Sequence, residues 1–207
     1  LLERVKYRRL LVRRTSIANP IDEFKSWFSA AAQAGIKEPN AMTLATATKS
    51  GKPSARIVLL KGVDRDGFVF FTNYESRKGR ELAQNARAAL VFYWEPLGRQ
   101  VRVTGRVSKV TAAESDAYFA SRPLGSRYSA AVSAQSRVIK SRADLEQRLA
   151  KMKEKYRDAG PPRPKYWGGY RVRPEEIEFW QQGEFRLHHR VRFRRRGSSW
   201  LMDILSP

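Results

Sequence analysis

The sequence predicts an α+β protein, mainly β, in which helices flank a barrel or sandwich of short strands. Three observations predict it. Between residues 41 and 110, apolar runs alternate with turn residues roughly every ten positions. Capped amphipathic stretches stand beside those runs, one opening at Asn19-Pro20 and one at Thr111. The 207-residue chain is 42% hydrophobic, with 5 Trp, 8 Tyr and 10 Phe, which is enough apolar surface for a sizeable core.

Residues 1–18 are crowded with Arg and Lys and form a basic arm, either mobile or an exposed helix. Residues 19–207 form one domain. Asn19 is an N-cap with Pro20 at the first helical position. Ile21, Phe24, Trp27, Phe28 and Ala31 recur at helical spacing up to Gly35. Strands follow at 41–48, 53–61 and 68–72, with turns at Lys49-Ser50-Gly51-Lys52 and Asp64-Arg65-Asp66-Gly67. Residues 76–85 form a short helix, and 88–94 and 100–110 are two more strands around Pro96-Leu97-Gly98. Thr111 to Glu114 is a capping box, so a helix carries Tyr118 and Phe119. Ser141 caps a longer helix. After the stiff Gly160-Pro161-Pro162-Arg163-Pro164 connector, four strand-like pieces at 167–172, 177–181, 191–195 and 200–204 complete the earlier sheet.

The chain has no Cys, which excludes disulfides and thiolate metal sites. With no apolar run of membrane-spanning length and no signal-peptide core, the expectation is a soluble cytoplasmic protein. Lys and Arg number 41 against 20 Asp and Glu, a net charge of +21. Such a surface attracts anions of any kind, including nucleotides, phosphate esters and nucleic acid.

The segment Arg56-Ile57-Val58-Leu59-Leu60-Lys61 puts Arg56, Val58 and Leu60 on one strand face and Ile57, Leu59 and Lys61 on the other. Its two cations either grip phosphates or are solvated strand ends. In Phe71-Thr72-Asn73-Tyr74-Glu75-Ser76-Arg77-Lys78, a strand ends and a helix begins with two cations in its first turn. Those cations oppose the helix dipole, and a bound anion would remove the conflict. Surface charge is the equal alternative. Gln100 is an amide at the head of an apolar strand, able to bond a heterocycle edge or to finish a turn. Tyr118 and Arg122 lie four apart on one helix face, and with Ser126 they suit a phosphate monoester; an arginine complementing a helix C-terminus is the other reading. Alternation places Arg186, His188 and Arg190 on one face of a strand, with His189 turned the other way. The adjacent histidines lack the further ligands of a metal site. No Walker loop, dinucleotide fingerprint or nucleophile elbow is present, which points to a cofactor carrying the chemistry.

Taken in order, Arg-Ile-Val-Leu-Leu-Lys, Phe-Thr-Asn-x-x-Ser-Arg-Lys, Phe-Tyr-Trp-x-x-Leu-x-Arg-Gln-Val, Tyr-Phe-x-Ser-Arg-Pro, Gln-Ser, Trp-Gly-Gly-Tyr, Glu-Phe-Trp-Gln and Arg-Leu-His-x-Arg resemble the pyridoxine/pyridoxamine 5′-phosphate oxidase family from Asn19 to Pro207. The resemblance implies an FMN-binding split β-barrel and a homodimer with FMN at the subunit interface. It implies oxidation of pyridoxine or pyridoxamine 5′-phosphate to pyridoxal 5′-phosphate, with O2 reduced to H2O2. Carried over by residue, Arg56, Arg77 and Lys78 hold the FMN phosphate. Ile57, Val58, Leu59, Leu60, Lys61, Phe71, Thr72, Gln100, Gln135, Ser136, Trp180 and Arg190 complete the FMN pocket from both chains. Lys61, Tyr118, Arg122 and Ser126 bind the substrate phosphate, and Arg186, Leu187 and His188 close over the substrate, Arg186 and His188 as the catalytic pair.

The chain departs from the family pattern at His189, where an aspartate is usual. It also departs at Arg127, Tyr128 and Ser129, where Gln, an aliphatic residue and Gly are usual. The first change removes a partner for Arg186 or Arg190, and the second puts bulk and charge beside the phosphate site. Two rivals stand beside this reading. One is another split-barrel protein, such as a flavin reductase or deazaflavin binder. The other is a basic nucleic-acid-binding module built on Arg190, Arg192, Arg194, Arg195 and Arg196. Alternation splits those arginines over two faces, so only non-specific electrostatic binding is expected of them.

Overall fold

The computed structural model describes residues 19–207, and the basic arm predicted at 1–18 lies outside the described residues. Helix α1 (Pro20–Gln33) starts where Asn19 caps it, its Oδ1 accepting the Ile21 N–H at 3.1 Å. Strands β1 (Ala41–Ala47), β2 (Pro53–Leu59), β3 (Gly62–Asp64) and β4 (Gly67–Asn73) follow. Next come α2 (Arg77–Gln84), β5 (Arg87–Trp94) and β6 (Arg99–Lys109). Three helices, α3 (Ala112–Ser121), α4 (Leu124–Val132) and α5 (Arg142–Tyr156), precede β7 (Trp167–Gln181), β8 (His189–Arg196) and β9 (Ser199–Leu205).

The described strands form one nine-stranded sheet of antiparallel pairs, seven of them in the order β2-β1-β5-β6-β7-β4-β3, with β8 pairing with β7 and β9 with β8 off this path. The seventh strand makes it a split barrel. β6 pairs with β7 along almost its whole length. On its other edge, β7 pairs first with β4, through residues 167–172, and then with β8, through residues 176–181. The sequence reads as two strands there because Pro174 interrupts the run. The chain instead continues through a register shift between Thr104 and Gly105, with Gly105 opposite Pro174. A proline lacks the ladder N–H, and a bulge is where a sheet tolerates that loss. Gly105 fits closely, since a Cβ there would stand 2.0 Å from the Arg173 carbonyl oxygen.

The core lies between α1 and the inner sheet face. Phe24 is fully buried and meets Phe68 edge-on at 4.8 Å and Phe92 at 4.9 Å. Met42, Leu44, Leu90, Val101 and Val103 line the same face, two residues apart along their strands.

One further expectation needs correcting. Arg186 and His188 are not on a strand. Residues Glu184–Arg186 form a 3-10 turn, Phe185 and Arg186 have φ of 53° and 63°, and β8 begins only at His189. Period-two reasoning therefore does not apply before His189. Leu124–Val132, left unassigned from sequence, is a helix without a side-chain N-cap bond, which explains its weak sequence signal.

Phe24→Ala should cost about 3–5 kcal/mol, because it removes a fully enclosed ring from a core that cannot collapse around it. Gly105→Val should also destabilise, since the Arg173 carbonyl must move. Denaturant unfolding at fixed protein concentration checks both, and a midpoint equal to wild type for Gly105→Val would contradict the close approach.

Candidate active site

A cavity of about 610 Å³ opens between the end of β2, β4, the start of α2, and α3 with α4. It gathers Ile57, Val58, Leu59, Lys61, Phe71, Thr72, Lys78, Tyr118, Arg122, Ser126 and Gln135 from the residues singled out in the sequence. Among the described residues, no Asp or Glu lines it.

Lys78 is buried, although it stands in the first turn of α2. Its Nζ donates to Gln135 Oε1 at 2.8 Å and to Thr72 Oγ1 at 3.3 Å, both neutral oxygens. Burial, then the positive charge of Arg56, lowers its pKa to about 8, and Glu81 offsets this in part. Ser76 holds the helix start by accepting from Gly79 N–H at 3.3 Å while donating to the Asn73 carbonyl at 2.7 Å. Gly79 allows the close approach, since a Cβ there would stand 2.0 Å from the Tyr74 carbonyl oxygen.

Arg122 forms the second cationic point. Its guanidinium lies 4.7 Å from the Trp167 ring centre, and its Nη1 is buried with no hydrogen-bond partner among the described residues. An orphaned guanidinium nitrogen is costly unless an anion completes it. The rings of Phe71 and Tyr118 stack at 3.9 Å, and Trp167 lies 5.5 Å beyond Phe71, making an aromatic wall. Tyr118 Oη and Ser126 Oγ bring hydroxyl groups to the same cavity.

Other expected residues lie elsewhere. Arg56 and Arg77 do not line the cavity but converge on buried Glu81, at 3.5 Å and 2.9 Å. Burial would raise the Glu81 pKa, but hydrogen bonds from Ser54, Thr46 and Arg77 and the charge of Arg56 outweigh it and hold the group at about 2. Sequence reasoning missed Glu81, although its position four residues after Arg77 was a usable signal. It also missed Trp167 and Ser133 as lining residues of the cavity. Leu60 is buried in the core, and Ser136 is exposed with φ 68°.

A second cluster stands on β6, β7 and β8. Gln100 pairs in register with Trp180, and Trp180 with Arg190. His188 packs on Trp180, with ring centres 4.6 Å apart. Arg190 Nε donates to Glu178 Oε1 at 2.8 Å, and Arg102 bonds the same almost fully buried carboxylate. The partner expected to be missing opposite Arg190 is therefore supplied by Glu178. Arg186 and Leu187 are exposed on the turn before β8.

The Arg127 and Tyr128 departures do not crowd the cavity. Tyr128 is buried and its hydroxyl donates to the Arg157 carbonyl, while the Arg127 guanidinium lies beside Gly160; only Ser129 faces the cavity. Four of the arginines of β8 are engaged within the fold, Arg190 with Glu178 as above. Arg192 and Arg194 both bond Asp203, and Arg195 bonds the Pro174 carbonyl. Among the described residues, no helix is long and apolar enough to cross a membrane.

Fold and site together define a split β-barrel. The same architecture is found in a pyridoxamine 5′-phosphate oxidase-related, FMN-binding protein of Nostoc punctiforme, at a TM-score of 0.71 and 16% identity, over 89% of this chain and 97% of that one. Residues 28–156 match the model of the family described as pyridoxamine 5′-phosphate oxidase. Residues 167–207 match the pyridoxine 5′-phosphate oxidase C-terminal dimerisation region. The chain belongs to the pyridoxine/pyridoxamine 5′-phosphate oxidase family. It is 54% identical over 205 residues to the pyridoxine/pyridoxamine 5′-phosphate oxidase of Cyanothece sp., covering 99% of this chain and 96% of that protein. It is 59% identical over 191 residues to that of Paraburkholderia phytofirmans, covering 91% and 89%. A solved structure of PhzG from Burkholderia lata in complex with tetrahydrophenazine-1-carboxylic acid is similar at a TM-score of 0.88 and 34% identity, over 92% and 93%.

Glu81 makes a pH prediction. Its folded pKa of about 2 lies below the ordinary value of 4.5, so its stabilising contribution is complete above about pH 4.5. That contribution is lost as pH falls through about 2. The stability difference between wild type and Glu81→Gln should therefore shrink across that window. Urea unfolding at several pH values measures it, and a pH-independent difference would refute the assignment.

Proposed function

We propose that this protein oxidises pyridoxine 5′-phosphate or pyridoxamine 5′-phosphate to pyridoxal 5′-phosphate, using FMN and reducing O2 to H2O2, as a cytoplasmic homodimer. The observation that carries this reading is that Lys78 and Arg122, at two separate points, line one cavity together with Lys61, with no carboxylate lining it among the described residues. Lys78 is buried against neutral oxygens and Arg122 has an orphaned nitrogen, so each suits a phosphate. One is assigned to the cofactor and one to the substrate.

The residues present fit FMN. Lys78, with Arg56 and Arg77 behind it on Glu81, makes the positive end for the phosphate. The segment 57–61 with Phe71, Thr72 and Gln135 walls the cavity. The two-electron chemistry, from substrate carbon to O2, belongs to FMN when it is bound. The chain's own work is positioning and charge. Lys61, Tyr118, Arg122 and Ser126 hold the substrate phosphate, and the Phe71–Tyr118 stack excludes water from one wall.

Gln100, Trp180, Arg190 and the turn carrying Arg186, Leu187 and His188 are not among the residues that line this cavity. They lie on or beside the region that matches the dimerisation model, which supports their reaching the cavity of a second protomer. Ser136 follows Gln135 on the loop beside the cavity and is assigned to the cofactor with it.

The similarity to PhzG favours a second reading, in which a reduced tricyclic carboxylic acid takes the substrate place and Arg122 meets its carboxylate. The higher identity to pyridoxine/pyridoxamine 5′-phosphate oxidases supports the first. Anaerobic mixing decides. Pyridoxine or pyridoxamine 5′-phosphate should bleach the yellow FMN absorbance, and bleaching by a reduced phenazine carboxylate alone would reverse the choice.

Lys78→Ala should weaken FMN binding by about 1.5–3 kcal/mol, or about 10- to 150-fold, in titrations of apo-protein. Because the Lys78 pKa is about 8, wild-type affinity should fall as pH rises through about 8, where the ammonium must first regain its proton. Lys78→Met should lose that slope. Arg122→Ala should raise KM for the phosphorylated substrate and change kcat less, since phosphate binding is shared by ground and transition states.

A further inference from the structure

The turn between β7 and β8 is built to present one histidine in one way. Gly183 is extended, yet a Cβ there would stand 2.1 Å from the Leu187 carbonyl oxygen. The chain doubles back through two consecutive non-glycine residues with positive φ, Phe185 and Arg186. Leu187 N–H then donates to the Glu184 carbonyl, and His188 N–H to the Arg186 carbonyl, both at 2.9 Å. This tight return brings the Gly183 N–H to His188 Nδ1 at 3.2 Å. The Trp180 ring, 4.6 Å away, supports the imidazole in that orientation.

A backbone N–H can only donate, so Nδ1 must present its lone pair. A ring whose Nδ1 accepts carries its proton on Nε2. We propose that Gly183 is a positioning residue that holds His188 as the neutral, Nε2-protonated tautomer. His188 then serves the active site as a hydrogen-bond donor and not as a proton acceptor. The inference rests on the oxidase reading above for what His188 meets, an acceptor atom of the substrate, but not for the tautomer itself. In this arrangement Nε2 has no lone pair to offer a substrate proton. The strained backbone at Phe185 and Arg186 is what the short connection requires, and the 92% exposure of Phe185 shows that burial of its ring does not drive it.

His188 and His189 are the two histidines of the chain, which makes the test direct. FMN-loaded protein labelled with ¹⁵N-histidine should give two imidazole patterns in a long-range ¹H–¹⁵N correlation spectrum, and His189→Asn identifies that of His188. The expected pattern is a protonated Nε2 and a bare Nδ1. A proton on Nδ1 in the wild type, alone or with one on Nε2, overturns the proposal. Gly183→Ala should turn the pattern into a mixture of tautomers and lower the rate of anaerobic flavin reduction about tenfold or more, with FMN still bound and KM little changed. Retention of both pattern and rate removes Gly183 from the positioning role. Should Gly183→Ala fail to fold, His188→Gln, whose amide reaches the place of Nε2, should keep more of the rate than His188→Ala. Equal loss contradicts the donor role. If the tautomer is as stated and neither B6 phosphate reduces the flavin, the tautomer assignment stands and the oxidase reading falls.

Discussion

The long antiparallel ladder between β6 and β7 is the constraint on which the remaining architecture depends. Its bulge at Gly105 and Pro174 divides β7 into two halves with different neighbours, β4 on one and β8 on the other. A straight strand of fifteen residues would carry a single neighbour along its edge. The division sends the first half toward α3 and the cavity, and the second half toward β8, β9 and the turn carrying His188. The cavity and the Trp180–His188 cluster are thus fixed to one strand, with Trp167 at its start and Trp180 near its end.

The charges are organised around the same frame. Four carboxylates, Glu81, Glu175, Glu178 and Asp203, each draw two arginines. For the two buried ones, leaving the acid alone would be far more costly than pairing it. These clusters give much of the arginine surplus a structural role. The cations that line the cavity are two lysines and an arginine, Lys61, Lys78 and Arg122, on separate segments. Among the described residues, acids are withheld from the cavity and placed behind it, where Glu81 steadies Arg56 and Arg77.

The turn at residues 183–188 shows how far backbone sets the orientation of an imidazole. Nothing in the order Gly-Glu-Phe-Arg-Leu-His states that the imidazole must accept from Gly183. The constraint comes from a glycine whose missing side chain lets the Leu187 carbonyl close in. Trp180, three residues before Gly183 and on the neighbouring strand, completes the support.

The sequence by itself determined most strands of the barrel and the capped helices, because these depend on local periodicity and on side-chain chemistry; the short β3 and the continuity of β7 past Pro174 were not legible in it. Asn19, Ser76, Thr111 and Ser141 all cap the helices they were read to cap. Only the tertiary structure decided which cations remain available to a ligand. Arg56, Arg77 and Lys78 are equivalent as letters, yet the first two are drawn to Glu81 and only Lys78 enters the cavity. It also decided that Arg127 and Tyr128 turn away from the cavity, and that the chain before His189 is a turn. The physical reason is common to all three. Pairing, burial and backbone closure depend on partners brought from distant segments, such as Glu81 beside Arg56 or Arg157 beside Tyr128, and no local pattern records who those partners are.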